Sequence, residues 1–555
     1  MSNTGNETGS LSYSSPSRPG REAASAGGAR RLSPGGHGRG PRHDAVPPLG
    51  RAVPAGRFGR MVPELTNPLV VEDAALVALG LAMDETKGGV TGDNANIPAG
   101  YTYLGQFIDH DITLDTTSLS EIDMDPLGVE NFRTPRLDLD SVYGLGPRVQ
   151  PSLYEQNPRR LNTGTAARGA RLLLGLTSVG GAQAAFADLP HDLPRNAEGF
   201  ALIGDERNDE NLLVAQTHVA FLRFHNAIAE RLAATGTNDL FKAARRATVH
   251  LYQAMVLRDF LTKICDPNDI AAAVDQRQFY RFETFGAFGQ PYMPVEFSVA
   301  AYRLGHSMVR EEYNHNRIFR PGGAVPASLR LLFDFTAKSG QIGLPSGGPA
   351  AKPTLAGDWI IDWRRYLDFA TTDTEGGFEL NLSRRIDPYL VRELHRLGLP
   401  QGAPADEENG TNSLAVMNLR RGAKMQLPAA QDLARFMKVD VLTPGQIGDD
   451  TPDGNAARAH GMLERTPLWY YILKEAAVVQ GGDRLGPLGS RIVAETFVGL
   501  LDGDDESILG RNPMWRFGEP LPGLVLPGAE TQFSYADLIA VAAGGRDKAA
   551  LSPVG

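Results

Sequence analysis

Four short stretches of this sequence place imidazole, guanidinium and carboxylate groups at spacings that could carry acid–base or metal chemistry. The first is YTYLGQFIDHDITLD, residues 101–115, with Asp109, His110 and Asp111 in a row. On a helix, Gln106, Asp109 and His110 stand at i, i+3 and i+4 and share one face. Asp111 is turned about 100° from His110 and must serve another neighbour. Such a row reads equally as a divalent metal site or as a polar helix end. The second stretch is GDERNDENLLVAQTHVAFLRFHN, residues 204–226, with Arg207 and Glu210 three apart. An acid at the start of a long helix is also favoured by the helix dipole. His218 and His225 follow on that helix and read either as a ligand pair or as packed core histidines. The third is AAYRLGHSMVREEYNHN, residues 300–316, where Arg303 and His306 again stand at i, i+3. A lone histidine on an apolar helix is ordinarily a packed residue. The fourth is RTPRLDLDSVYG, residues 133–144, in which Thr134, Asp138 and Asp140 alternate as in a short extended run. Alternating oxygen donors can wrap a hard cation such as Ca²⁺.

These groups need a scaffold, and apolar periodicity says which kind. Residues 69–83, 211–234 (with a start as early as 207, which would include Arg207), 239–264, 382–397 and 488–503 all have helical spacing, while strand-like alternation is scarce. The expectation is a mostly α protein with one large helical domain and few short strands, over residues 61–545. Gly/Pro-rich joints at 338–353 and 400–412 read as surface loops inside it, and 546–555 as a flexible C-terminal tail.

Residues 1–60 stand apart. Nine Arg against three acids give that segment +6, which leaves −16 of the overall −10 for the rest. It also carries 12 Gly, 7 Pro and 8 Ser. With so few large apolar groups it cannot offset the entropy of ordering, so a disordered basic leader is expected. It has no positive start followed by an apolar run of a secretory signal. The 555 residues contain one cysteine, which excludes an intramolecular disulfide, Cys-based zinc sites and Cys-ligated iron–sulfur clusters. No apolar run approaches about 18 residues, so no membrane span is expected. The acidic balance speaks against a nucleic-acid partner. A cytoplasmic location, or export by a signal-independent route, fits these features.

The order and spacing of the four stretches resemble the animal-type haem peroxidase superfamily, over about residues 61–530. Gly105-Gln106-Phe107-Ile108-Asp109-His110-Asp111 is similar to that family's distal histidine motif. Arg207-Asn208-Asp209-Glu210-Asn211 is similar to its distal arginine motif, and Arg303-Leu304-Gly305-His306 to its proximal histidine motif. Thr134 to Gly144 is similar to its calcium loop. The resemblance implies a haem-dependent peroxidase that reduces hydrogen peroxide through an oxoferryl haem and oxidises a small donor. It implies haem b ligated by His306, with Arg303 on a haem propionate. His110 would shuttle the peroxide proton, Arg207 would stabilise the charge that develops as the O–O bond breaks, and Gln106 would hold a water or halide. Asp109 and Glu210 would form ester bonds to haem. Asp111, Thr134, the backbone oxygen of Arg136, Asp138 and Asp140 would bind Ca²⁺.

The chain also departs from the pattern. Asn211 stands where myeloperoxidase has a methionine bonded to a haem vinyl, so no such bond can form. That favours iodide, bromide, thiocyanate or phenolic donors over chloride. Arg421-Gly422-Ala423-Lys424-Met425-Gln426-Leu427-Pro428 departs from the family's R-G-R-D-H-G-L-P, and counting on from it makes Gln431 the expected partner of the proximal histidine. The absence of disulfides fits a microbial-type member. A haem fatty-acid dioxygenase on the same fold would need a radical tyrosine at 303, where arginine stands; Tyr302 is one residue off that register and should face elsewhere. A non-catalytic calcium-binding or adhesive relative, and a zinc hydrolase built on Asp109–Asp111, are the remaining alternatives.

Overall fold

The structure, a computed structural model, describes residues 56–89, 92–114, 129–156, 169–179, 186–323, 325–334, 354–369, 379–399 and 403–554. Residues 1–55 of the expected leader and the joint at 338–353 lie outside them. Among the described residues helices dominate, and the sheets are two pairs of short strands. In chain order, β1 (Phe58–Gly59) precedes α1 (Asp73–Ala82), β2 (Asp93–Pro98) and α2 (Gly100–Ile112). Then come α3 (Leu212–Ala234), α4 (Leu240–Met255) and α5 (Pro267–Gln276). After β3 (Met293–Pro294) and β4 (Leu382–Arg384) follow α6 (Leu414–Lys424), α7 (Leu468–Gln480), α8 (Pro487–Asp502) and α9 (Tyr535–Ala543). β1 pairs parallel with β3, and β2 antiparallel with β4.

The central packing surrounds α2 and α3. α3 lies against α2, α4 and α9. It buries most of its circumference, which is why its sequence is apolar on nearly every face. Phe107 of α2 stacks on Phe221 of α3 with centroids 4.3 Å apart, and the two histidines of α3 are core groups. His225 bonds Tyr143 and the Ala170 carbonyl, so the His218/His225 pair is not a metal site. α2 starts where Gly100 donates to the Tyr366 carbonyl; a Cβ there would meet that oxygen at 2.8 Å, so the close approach needs glycine. Cys265 is buried in the same core.

Three expectations change. Residues 382–397 do not form a helix: Leu382–Arg384 is strand β4, and only Arg392–His395 makes a short 3₁₀ turn. Pro388 removes a helical donor, and pairing with β2 satisfies the strand's backbone instead. Residues 546–555 are not a loose tail: Lys548–Leu551 is helical, and Leu551 and Val554 are buried. Ordered structure begins before Met61, since Phe58 is buried in β1 and Arg60 donates to the Gln426 carbonyl. The helices within 69–83, 211–234, 239–264 and 488–503 form, the third passing through a π-turn over Val256–Phe260 before it resumes at Leu261–Ile264. No helix among the described residues is long and apolar enough to cross a membrane.

Candidate active site

A cavity of about 1220 Å³ opens between α2 and the turn Ala301–His306. That exceeds the about 300–1,000 Å³ of an ordinary small-molecule pocket. Gln106, Asp109, His110, Arg207 and Glu210 line one side, and Arg303 and His306 the other. The face shared by Gln106, Asp109 and His110 is therefore the cavity face. The Ala301–His306 turn is a 3₁₀ helix, in which residues three apart eclipse, so Arg303 and His306 share one edge.

His110 is buried and its ring is held from behind. Asn208 Oδ1 lies 2.9 Å from His110 Nδ1, and the Asn208 amide nitrogen lies 2.9 Å from His218 Nδ1. An amide oxygen only accepts, so Nδ1 of His110 carries the proton and donates it to Asn208. Nε2 is left as the basic nitrogen, 3.5 Å from Glu210 Oε1. Burial, reinforced by the Arg207 guanidinium, pushes the His110 pKa down to about 3. The ring is neutral near pH 7, as a proton acceptor requires. Asn208 did not stand out in the sequence, where it is merely the residue after Arg207.

Arg207 is the second residue of the short 3₁₀ segment Glu206–Asp209, which Asp205 caps by accepting from the Arg207 N–H at 2.9 Å. Its side chain is fixed by Asp205 at 2.9 Å and by the carbonyls of His110 at 3.1 Å and Thr113 at 2.5 Å. Asp205 also pairs with buried Arg133. Glu210 accepts a hydrogen bond from Gln106, and burial in the cavity wall raises its carboxyl to about 7. Asn211 caps α3 by accepting from the Val214 N–H at 2.9 Å, and its amide donates to Gln106 Oε1 at 3.0 Å. Asp109 accepts from the Thr113 hydroxyl at 3.0 Å, and burial raises its pKa.

Across the cavity, Asn418 of α6, not Gln431, contacts His306. The Asn418 amide nitrogen lies 2.8 Å from His306 Nδ1, while its oxygen accepts from Arg303 Nη1 at 2.6 Å. Arginine only donates, so it claims the amide oxygen and turns the nitrogen to the imidazole. Gln431 is buried elsewhere, bonded to Thr466 and the Leu463 carbonyl. Arg303 is thus tied to Asn418 and to the Ser298 carbonyl at 3.1 Å. Burial, then the Arg303 charge, lowers the His306 pKa to about 3. A Cβ on Gly305 would meet nothing within 4 Å, so open space lies against this turn. Tyr302, expected to face elsewhere, lines the cavity, and its hydroxyl donates to the Gly105 carbonyl at 3.2 Å.

Asp111 leaves the cavity face and joins Asp138 and Asp140, with oxygens from all three within 4.8 Å of one another. The Thr134 hydroxyl contacts Asp138 at 3.1 Å and Asp140 at 3.2 Å. The segment is a series of bends, not the expected extended run, because Leu139 turns it in the left-handed region. Arg136 sends its side chain away, to Asp504 and Gln290. Burial and mutual repulsion hold Asp111 well above the usual carboxylate range; burial and Asp138, opposed by Arg133, bring Asp140 to about 7. A hard divalent cation would reverse that repulsion.

The profile of the animal haem peroxidase family matches residues 120–338. Thyroid peroxidase of Rattus norvegicus is 25% identical over 387 residues, covering 67% of this chain and 38% of that protein. The chain thus spans well under half the length of this relative. Among solved structures, peroxidase A of Dictyostelium discoideum superposes with a TM-score of 0.53 at 16% identity, covering 87% of this chain and 92% of that one. A fatty acid alpha-dioxygenase of Arabidopsis thaliana gives 0.52 at 14% identity, with 81% and 71% covered. These two likenesses speak to the fold alone.

Proposed function

Because the chain belongs to the animal-type haem peroxidase superfamily, we propose that it binds haem b in the large cavity and reduces hydrogen peroxide at the expense of a small donor. The observation that carries this reading is the pair of histidines lining one cavity, each neutral and each held at Nδ1 by an asparagine. The residues present suit haem: an imidazole for the iron, open space beside it at Gly305, and two carboxyls on the facing wall. When bound, haem supplies an iron that takes peroxide as a ligand and stores the oxidising equivalents of its reduction.

In this reading His306 ligates the iron through Nε2, which needs the proton on Nδ1; with Arg303 drawn to a haem propionate, Asn418 would turn its amide oxygen to accept from Nδ1 and so set the ring orientation. His110 Nε2 takes the proton from peroxide and delivers it to the departing oxygen, forming water. Arg207 favours the negative charge that builds on that oxygen, and its charge keeps His110 unprotonated. Gln106, tied between Glu210 and Asn211, holds a water or halide beside the reacting oxygen. Asp109 and Glu210 are the candidates for ester links to haem. Thr134, Asp138, Asp140, Asp111 and the Arg136 backbone oxygen hold Ca²⁺, which ties α2 to the 133–144 loop. Iodide, bromide, thiocyanate and phenols are the preferred donors.

Haem-loaded protein should show a Soret band and oxidise guaiacol or iodide with peroxide; a protein that takes up no haem refutes the reading. Acid–acetone extraction should leave haem on the chain, and complete release would remove the ester links. Tyr302 on the cavity wall favours a second reading, a haem dioxygenase of fatty acids. Oxygen uptake with a polyunsaturated fatty acid, without peroxide and lost in Tyr302→Phe, would establish it in place of the first.

A further inference from the structure

Two files of aromatic side chains leave the cavity from residues two apart on α2. One runs from Tyr103 through its hydroxyl bond to Tyr313 at 2.8 Å and on to Tyr366, whose ring stacks 5.8 Å from that of Tyr313. It ends buried, with the Tyr366 hydroxyl 3.2 Å from His315 Nδ1, and no donor can reach that end. The other runs outward. Tyr101, on the cavity wall, meets Tyr535 of α9 edge to face with centroids 5.8 Å apart. Tyr535 meets Trp363 in the same manner at 6.0 Å. Trp363 is partly exposed.

We infer that Trp363 is a second oxidation site, wired to the cavity through Tyr535 and Tyr101, and that it serves electron-rich phenols too bulky to enter the cavity. This rests on the peroxidase reading, which supplies the oxidant. Phenol and indole are the most readily oxidised aromatic side chains, and rings at these separations are in van der Waals contact. Tyrosine gives up an electron easily only if its hydroxyl proton has somewhere to go. The Tyr101 hydroxyl donates to Asp259 Oδ2 at 2.7 Å. Burial raises the Asp259 pKa, so the carboxylate is a better proton acceptor than an exposed one. The Lys263 ammonium lies 4.7 Å over the Tyr101 ring and penalises positive charge there, which pushes the electron vacancy outward. Among the described residues the Tyr535 hydroxyl has no carboxylate partner and bonds Thr217 Oγ1, at 3.4 Å, so it bridges two stops and is not one itself.

The balance closes on peroxide. At the surface each phenol loses one electron and one proton and leaves as a phenoxyl radical. The electron passes from Trp363 by way of Tyr535 to Tyr101, whose proton returns from Asp259 as the electron arrives. Two phenols and one hydrogen peroxide give two phenoxyl radicals and two waters.

The test uses haem-loaded wild type, Trp363→Phe and Tyr535→Phe, with the Soret band as the check on loading. Each is treated with peroxide and a nitroso spin trap, and the adducts are located by tryptic mass spectrometry. Oxidation of guaiacol is compared with oxidation of a phenol coupled to dextran. The expected result is an adduct on Trp363 in the wild type that is lost in Tyr535→Phe. Oxidation of the dextran-linked phenol should be lost in both variants while guaiacol oxidation persists. A wild type that oxidises guaiacol yet shows no adduct on Trp363 overturns the second site alone. So do variants that keep dextran-phenol oxidation. A wild type inert toward guaiacol, iodide and dextran-phenol alike overturns the peroxidase reading, and the relay with it.

Discussion

Replacing Asn208 tests whether the orientation of His110 matters to peroxide reduction. Asn208→Leu keeps the bulk of the side chain and removes the oxygen that accepts from His110 Nδ1 at 2.9 Å. A net hydrogen bond is worth about 1 kcal/mol, and every 1.4 kcal/mol is tenfold, so the reactive tautomer should fall by about fivefold. The rate of the peroxide reaction, followed by stopped-flow absorbance at pH 7, should fall by the same factor. Haem content should not change, because Asn208 does not line the cavity. Asn208→Asp separates positioning from mere packing. A carboxylate at that distance favours the imidazolium and raises the His110 pKa by about one to three units. In the wild type His110 is neutral above about pH 3. In the variant it becomes protonated at higher pH, so the rate should fall earlier as the solution is acidified. If Asn208→Leu reacts at the wild-type rate and Asn208→Asp keeps the wild-type acid limb, His110 is not the proton acceptor or Asn208 does not orient it.

On the proximal side, Asn418→Ala should shift the Soret band and weaken haem retention, whereas Gln431→Ala should lower stability and leave the spectrum unchanged; the reverse would restore Gln431 as the partner of His306. Asp138→Ala should lower bound calcium by metal analysis and lower the melting temperature of the metal-replete protein, and equal calcium in both proteins would rule out the 111/138/140 cluster. Far from the cavity, burial alone would raise the Asp453 carboxyl, but the Lys474 ammonium at 2.9 Å and the Tyr389 hydroxyl, which donates to it, hold it below 3.8. Its stabilisation is complete above pH 3.8 and is lost as the pH falls from there through the lower folded value, so acid unfolding should steepen in that window. Lys474→Met strands the buried carboxylate and should cost about 3–5 kcal/mol in denaturant unfolding, and a change near zero would refute the pairing.

What the sequence made readable follows from which information is local. The cavity face of α2 is set by a period of 3.6, so the common facing of Gln106, Asp109 and His110, and the departure of Asp111 toward Asp138 and Asp140, could be read directly. The helices within 69–83, 211–234, 239–264 and 488–503 were equally legible because their apolar stripes are long. Residues 382–397 carry a similar stripe, but β2 competes for their backbone from 284 to 291 positions away and Pro388 prevents a continuous helix. The C-terminal segment looked polar enough to be loose, yet Val554 finds an apolar niche against Phe186 and Ile360, contacts no local pattern encodes.

The proximal partner shows the same limit at the scale of one residue. Counting forward from Arg421 assumes that the chain continues in register past Pro428, and it lands on Gln431. The backbone turns at Gln426, which lies in the left-handed region, and Gln431 belongs to a new helix that points at Thr466. Asn418 lies on α6 before that turn, one turn ahead of Arg421, and faces Arg303 and His306 across the cavity wall. A polar residue buried in the middle of an amphipathic helix is the signal that was available. Its amide would cost more than the apolar packing returns unless partners awaited it, and here both partners are the residues that hold the other side of the cavity.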